Sequence, residues 1–391
     1  MPTYPRLPLV LAVLAFSSAA AAEPAATLPS PAEILTTLRS VNGYFMQKHP
    51  DPGQPSVPFA RPGEAPKAPT RPSNLWTRAV YYEGLMALHR IDPDPRYRDY
   101  AVSWGEAHHW DVIGGPSTIH ADNQCCGQTY LDLYAQDPRP ERIAELQASL
   151  EGMIKNPKTD DAWWWCDALQ MAMPVFARLG VLNHDPRYFE KMYALYRDAK
   201  TRQGGTGLYN PTDHLWWRDR TFLPPVHEPN GRNSYWARGN GWVLTALARV
   251  LDVLPADAPH RDEYVRMFRD MAAVLLPLQR PDGFWNVSLD DPGHFGGKEV
   301  TGTSLFAYGF GCGIRQGLLA KDDYEPAIAR AWNGLSHDAV HPNGFLGYVQ
   351  GTGKQPSDGQ PVTYDKVPDF DDFGTGCFLL AGTEAWKLAG R

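Results

Sequence analysis

The chain has 391 residues, with 37 Lys and Arg against 44 Asp and Glu and a formal net charge of -7. A protein that grips nucleic acid by its phosphates needs a basic face, so this balance argues against that class of partner. Cys125, Cys126, Cys166, Cys312 and Cys377 are too few and too scattered for a disulfide framework, contain no CxxC pair, and read as small buried hydrophobes.

The first segment reads as an address. Arg6 precedes an apolar run, Leu7 to Phe16, too short to cross a bilayer, and Ala20-Ala21-Ala22 supplies the small side chains of a signal-peptidase site before Glu23. Residues 1–22 are therefore expected to be a secretory signal, with the mature protein in a periplasm or outside the cell. Residues 23–391 are expected to form a single domain. No later stretch reaches the ~18 continuous apolar residues of a membrane span.

From residue 31 two kinds of helical segment alternate. One kind is amphipathic, near 31–48, 96–110, 139–155, 186–203, 261–279 and 324–340. In 261–279, for example, Tyr264, Met267, Phe268, Met271 and Leu275 share one face, while Arg266, Arg269 and Asp270 lie on the other. The other kind is apolar nearly all round, near 72–91, 118–136, 163–180, 235–254, 300–319 and 372–389. Such helices must be buried on more than one side. Strict alternation predicts hairpins of one outer and one inner helix, closed into an all-α (α/α)6 barrel. An open α-solenoid is the alternative, and the apolarity of the inner set favours closure.

Local repeats support this organisation. Asp94-Pro95-Arg96-Tyr97 and Asp185-Pro186-Arg187-Tyr188 each open an outer helix, with Asp as cap and Pro in the first turn. Asp137-Pro138-Arg139 is a looser copy. Pro281-Asp282-Gly283-Phe284 and Pro342-Asn343-Gly344-Phe345 each follow an outer helix. Connections before inner helices are mostly long, around 49–71, 204–234, 280–299 and 341–371, whereas those after them are short. In a toroid the long set gathers at one end, over the inner-helix N-termini, which is where a pocket is expected.

Three polar constellations fall at that end. Asp167 follows Trp163, Trp164, Trp165 and Cys166 in the first turn of an inner helix. Apolar walls raise a carboxyl pKa and a helix N-terminus lowers it; the walls are expected to win, leaving a general acid. His120-Ala121-Asp122 opens the preceding inner helix, so Asp122 and Asp167 are placed to face each other and push their pKa values apart. For both, a helix-capping role is the structural alternative. Trp236-Ala237-Arg238-Gly239-Asn240-Gly241-Trp242 opens the next inner helix. Its Arg238 suits a substrate carboxylate, or else satisfies backbone carbonyls. Trp165, His120, Trp236 and Arg218 are further candidates for substrate contact. His108-His109 has no third metal ligand at convincing spacing. Asp369, Asp371 and Asp372 read as a solvated acidic loop, with calcium as the alternative.

These segments resemble glycoside hydrolase families 88 and 105, the unsaturated glucuronyl and rhamnogalacturonyl hydrolases, with family 105 the closer. The resemblance is carried by WARGNGWVLTALARVLDVLP from Trp236, LQRPDGFWNVSLDDP from Leu278, EVTGTSLFAYGFGCGIRQGLL from Glu299, WWWCDALQMAMPVFARLG and DFGTGCFLLAG. It implies an (α/α)6 barrel acting on the acidic oligosaccharides that polysaccharide lyases leave. It implies that an aspartic acid protonates C4 of a Δ4,5-unsaturated uronic acid and that water adds at C5, with no metal or organic cofactor. It places the proton donor on Asp167, the acidic partner on Asp122, and substrate contacts on Arg238 and Trp242. Two departures stand out: Leu215-Trp216-Trp217-Arg218-Asp219 lacks the His of rhamnogalacturonyl members, and the segment before the Trp run, Lys158 to Ala162, is short. The choice between galacturonyl and glucuronyl sugars therefore stays open. Another (α/α)6 carbohydrate enzyme, a polysaccharide lyase or an inverting glycosidase, and a non-catalytic sugar binder are the competing classes.

Overall fold

In the computed structural model the first hairpin is α1 (Pro31–Lys48) with α2 (Trp76–Ile91), and the second is α3 (Pro95–Ala107) with the pair α4 (Ala121–Gln124) and α5 (Gly127–Gln136). Then follow α6 (Ala144–Lys155) with α7 (Ala168–Leu182), and α8 (Arg187–Thr201) with α9 (Ala237–Val253). The last two hairpins are α10 (Arg261–Leu275) with α11 (Val300–Arg315), and α12 (Lys321–Gly334) with α13 (Asp372–Ala389). The structure describes residues 26–60, 65 and 68–390, and the expected signal segment lies outside them. Among the described residues no helix is long and apolar enough to cross a membrane.

The inner helices pack side by side in chain order, and the last of them, α13, packs on the first, α2. The ring is closed, and the open solenoid is excluded. Closure rests on two glycines. A Cβ on Gly84 of α2 would lie 2.5 Å from the Gly376 carbonyl oxygen, and one on Gly376 of α13 would lie 2.2 Å from the Val80 carbonyl oxygen. Only bare backbone permits so close a crossing. Beside it, Arg78 Nε of α2 meets Asp372 Oδ2 of α13 at 2.8 Å, both side chains nearly inaccessible.

The repeated tetrapeptides prove to be equivalent joints of the outer ring. Gly283 and Gly344 both turn with φ near +88° and +87°, a conformation glycine adopts without steric cost. Gly283 presses on the Arg330 carbonyl of α12, and Gly344 on the Ser40 carbonyl of α1, each belonging to the next outer helix round the ring. The Asp-Pro-Arg repeats are likewise one cap used twice: Asp94 accepts from the Arg96 N–H at 2.9 Å, and Asp185 from the Arg187 N–H at 3.0 Å. The third copy departs from the pattern. The Asp137 carboxylate pairs with the side chains of both Arg139 and Arg142, the Arg139 N–H bonds the Asp137 carbonyl oxygen, and the helix expected from 139 begins at Ala144 after a short 3-10 turn.

The second inner helix is tightened at Cys125-Cys126, where the N–H groups of Gln128 and Thr129 bond three residues back instead of four. Leu146 of α6 fills the space where a side chain on Gly127 would stand. All five cysteines are buried and unpaired.

Candidate active site

The long connections do lie together at the N-terminal end of the inner helices, and short extended pairings zip them to one another. Trp165 bridges Asp219, Trp236 bridges Ser288, and the Phe59 N–H bonds the Asp369 carbonyl at 2.8 Å. A two-stranded ladder, β1 (Tyr209–Asn210) with β2 (Leu215–Trp216), stiffens the longest loop but one. Most of the large apolar side chains left exposed stand on these loops: Val57, Phe59, Ile119, Trp164, Val226 and Phe295. An apolar rim round a polar floor suits a ligand that presents both ring faces and hydroxyl groups.

Asp122 sits in the first turn of α4 and Asp167 just before α7, at neighbouring positions of the inner ring. The sequence argument favours Asp167 as the carboxyl that keeps its proton under three tryptophans. The structure favours Asp122. Trp163 is fully buried against Phe176, Trp165 is buried beside His120, and Trp164 is 46% exposed, so the cover over Asp167 is incomplete. Asp167 instead has a cation beside it: Arg218 Nε lies 3.3 Å from Asp167 Oδ2, and the same guanidinium binds Asp219 at 2.7 Å. The Asp122 carboxyl is pushed up to about 7, first by burial and then by the Asp167 charge, against a smaller pull from Arg218 and Arg71. His120 Nδ1 is 4.0 Å from Asp122, and burial lowers the imidazole's pKa, so at neutral pH it adds no positive charge there. The two acids are thus electrostatically coupled, the Asp167 charge helping to hold the Asp122 carboxyl up.

Arg238 is fully buried and its two terminal nitrogens are committed, while its Nε has no partner among the described residues. The terminal nitrogens bind the carbonyl oxygens of Gln350 at 2.8 Å and Gly351 at 2.7 Å, and the guanidinium lies between the rings of Trp236 and Phe373. Trp236 Nε1 donates to the Gln350 side chain at 2.9 Å. These residues hold the 341–371 loop over the pocket, which is the structural alternative for Arg238. Trp242 has no exposed surface and meets Trp76 edge-on behind the site.

Two nearby residues carried no signal in the sequence. Arg71 stacks on Phe370 at 4.5 Å and bears electrostatically on both Asp122 and Asp369, yet it is an isolated Arg in a Pro-rich loop. Trp164 presents its face below the Arg218 guanidinium, 5.7 Å from the ring centre, and only the tertiary structure distinguishes it from its two buried neighbours. A cleft of about 910 Å³ continues from this end between the loop of Phe59 and the loop of Asp358 and Asp369.

The expectation of a solvated acidic loop at 369–372 is overturned. Asp371 and Asp372 are buried, with Lys48 Nζ 2.5 Å from Asp371 and Arg78 on Asp372. His49, Asp371 and Asp372 are also a trio with ligand spacing, but these two cations already neutralise both carboxylates. His108 Nε2 is engaged by Ser73 Oγ at 2.6 Å.

The glycosyl hydrolase family 88 model matches residues 37–389. The chain belongs to that family. An unsaturated 3S-rhamnoglycuronyl hydrolase of Formosa agariphila is 32% identical over 333 residues, covering 80% of this chain and 84% of that one. A solved family 88 member from Bacteroides vulgatus superposes with a TM-score of 0.81 at 32% identity, over 92% of this chain and 99% of that one. A structure described as a polysaccharide lyase superposes with a TM-score of 0.80 at 31% identity, over 92% and 98%. Family 105 structures share the fold, one from Salmonella enterica with a TM-score of 0.71 at 20% identity. The chain is therefore a glycoside hydrolase built as a six-hairpin barrel, and its substrate is an oligosaccharide.

Proposed function

We propose that this family 88 enzyme removes a Δ4,5-unsaturated uronic acid from the end of acidic oligosaccharides, with rhamnoglycuronyl fragments, as named for the Formosa relative, its substrates. The observation that carries the reading is the Asp122–Asp167 unit: one carboxyl that holds its proton to about pH 7, beside another engaged by Arg218. Protonating the C4 carbon of an enol ether needs an acid that is still protonated at working pH.

Arg218 is the cation placed to receive the uronate carboxylate, since Arg238 is buried with both terminal nitrogens bound to loop carbonyls. As the uronate draws Arg218 toward itself, Asp167 loses its counter-ion and takes the proton from Asp122. Asp167 then delivers it to C4. Its conjugate carboxylate removes a proton from a water molecule as the oxygen bonds to C5. The hemiketal opens as its hydroxyl proton passes to the ring oxygen, the hemiacetal left at C1 releases the leaving sugar with the second hydroxyl proton, and the pair keeps the proton taken from water. Trp164, exposed beneath Arg218, offers a stacking face to the adjoining sugar. Export through the 1–22 segment is part of this proposal and predicts a mature N-terminus at Glu23.

Elimination is the second reading, favoured by the name of the lyase-like structure. The sign of one optical change separates them. The C4=C5 bond conjugated to the carboxylate absorbs in the ultraviolet: hydrolysis of unsaturated oligosaccharides makes that absorbance fall, and elimination on intact polysaccharide makes it rise. Asp167→Asn is expected to lower the hydrolytic rate by about 10²–10⁴-fold with the fold intact. Retention of more than about a tenth of the activity would remove Asp167 from the donor role.

A further inference from the structure

Beneath the two carboxylates lies a buried glutamate that the chemistry above does not use. Glu83, on α2, has no exposed surface. Its Oε1 accepts from Gln128 Nε2 at 2.9 Å and from Cys125 Sγ at 3.4 Å. Its Oε2 accepts from Gln170 Nε2 at 2.9 Å and faces Arg249 of α9 at 3.3 Å. Cys125 stands three residues after Asp122, and Gln170 three residues after Asp167. Both partners therefore lie about one helical turn below a site carboxylate, on the same side of its helix. Gln128 closes the arrangement by also donating to the Gln170 carbonyl at 2.7 Å.

We propose that Glu83 is a positioning residue: by accepting from the residues one turn below Asp122 and Asp167, it sets the separation of those two carboxyls. The inference rests on the uronyl hydrolase reading only for the importance of that separation to turnover. A neutral core would pack these helices without fixing their rise relative to one another. A carboxylate with an oxygen for each helix ties both, because every donor left unpaired in that core would cost about 1–3 kcal/mol. Arg249 supplies the charge that makes a buried carboxylate tolerable. A misplacement of about 1 Å between reacting groups is worth up to ~10²-fold in rate, so a tie of this kind acts on kcat more than on substrate affinity.

Two variants test it. Glu83→Gln places an amide NH2 against donors on one side and leaves Arg249 without its counter-ion. Gln170→Met removes only the donor below Asp167 and leaves Glu83 paired with Arg249. Each is expected to lower kcat per folded molecule by about 10- to 100-fold with KM changed less than about threefold. If Glu83→Gln does not fold, Gln170→Met decides alone. A second readout needs no substrate: the Asp122 carboxyl followed by 13C NMR titration. Gln170→Met leaves every group that shifts Asp122 in place, and Glu83 is not one of them, so separation of the pair weakens the repulsion from Asp167 and the Asp122 midpoint should fall by about half a pH unit or more. Should wild type leave unsaturated substrates unconsumed, the hydrolase reading fails and the NMR midpoint still decides the role of Glu83. An unmoved Asp122 midpoint in Gln170→Met, or more than half of wild-type kcat, would reduce Glu83 to a core ion pair.

Discussion

Asp122 and Arg218 govern the pH behaviour expected of this enzyme. The Asp122 carboxyl is held up to about 7, burial being the larger cause and the Asp167 charge the second. In the proposed mechanism its proton goes to C4, so kcat/KM should fall as pH rises through about 7. The same shift bears on stability with a definite sign. A carboxyl whose folded pKa is raised favours the fold fully below the ordinary carboxylate range, and that contribution is lost as pH rises toward about 7. Arg218 pulls the Asp122 pKa down, so Arg218→Gln should move the alkaline limb to higher pH while KM rises about tenfold or more through loss of the uronate contact. A pH profile of kcat/KM together with KM at one pH checks both; a limb that moves downward in Arg218→Gln would separate Arg218 from Asp122. The motif WARGNGW marks Arg238 in the sequence, but a motif does not show where a guanidinium spends its donors. That is set by the 350–351 carbonyls, contributed by a loop more than a hundred residues away.

The elements that matter most are the inner-helix N-termini and the loops they hold. Glu299 caps α11 by accepting from the Thr301 and Gly302 N–H groups, and it also accepts from the Gln350 N–H at 3.3 Å. Gln350 in turn holds Trp236 and Arg238. One helix cap thus fastens the 341–371 loop to the start of α9. Arg238→Lys keeps the charge but loses the planar fork that reaches two carbonyls. It should therefore loosen that loop, with faster proteolysis within 351–369 and a melting temperature lower by several degrees. If Arg238→Lys instead raised KM for the free acid while leaving a methyl-ester substrate and the loop unaffected, Arg238 would be the carboxylate ligand after all. The helices themselves were legible, because six outer stripes and six all-round apolar segments are written in spacing alone. The break at Cys125-Cys126 was not, since nothing in local composition announces that Leu146 of another helix presses on Gly127.

The whole molecule depends on a ring whose last inner helix must meet its first. A Cβ at position 376 would stand 2.2 Å from the Val80 carbonyl oxygen. Gly376→Val should destabilise the protein by about 3 kcal/mol, as overpacking of a closed core does. A Cβ at Gly43, on α1, would meet nothing within 4 Å, so Gly43→Ala should be neutral or slightly stabilising through helix propensity. Chemical denaturation of the two variants checks the pair, and equal midpoints would show that the α2–α13 crossing does not control stability.

The order of outer and inner helices, the gathering of the long loops at one end of the barrel, and the placing of Asp122 and Asp167 at neighbouring inner-helix starts could all be read from the chain itself. Periodicity, loop length and motif are local properties, and a hydrophobic stripe states its burial wherever it folds. What only the tertiary structure decided was which groups meet across the ring. It put Arg218 against Asp167, buried Asp371 and Asp372 among Lys48 and Arg78, left Trp164 exposed between two buried tryptophans, and set Glu83 beneath both acids. Electrostatic work depends on distance and on the water excluded between charges, and neither quantity exists until distant segments have been packed together.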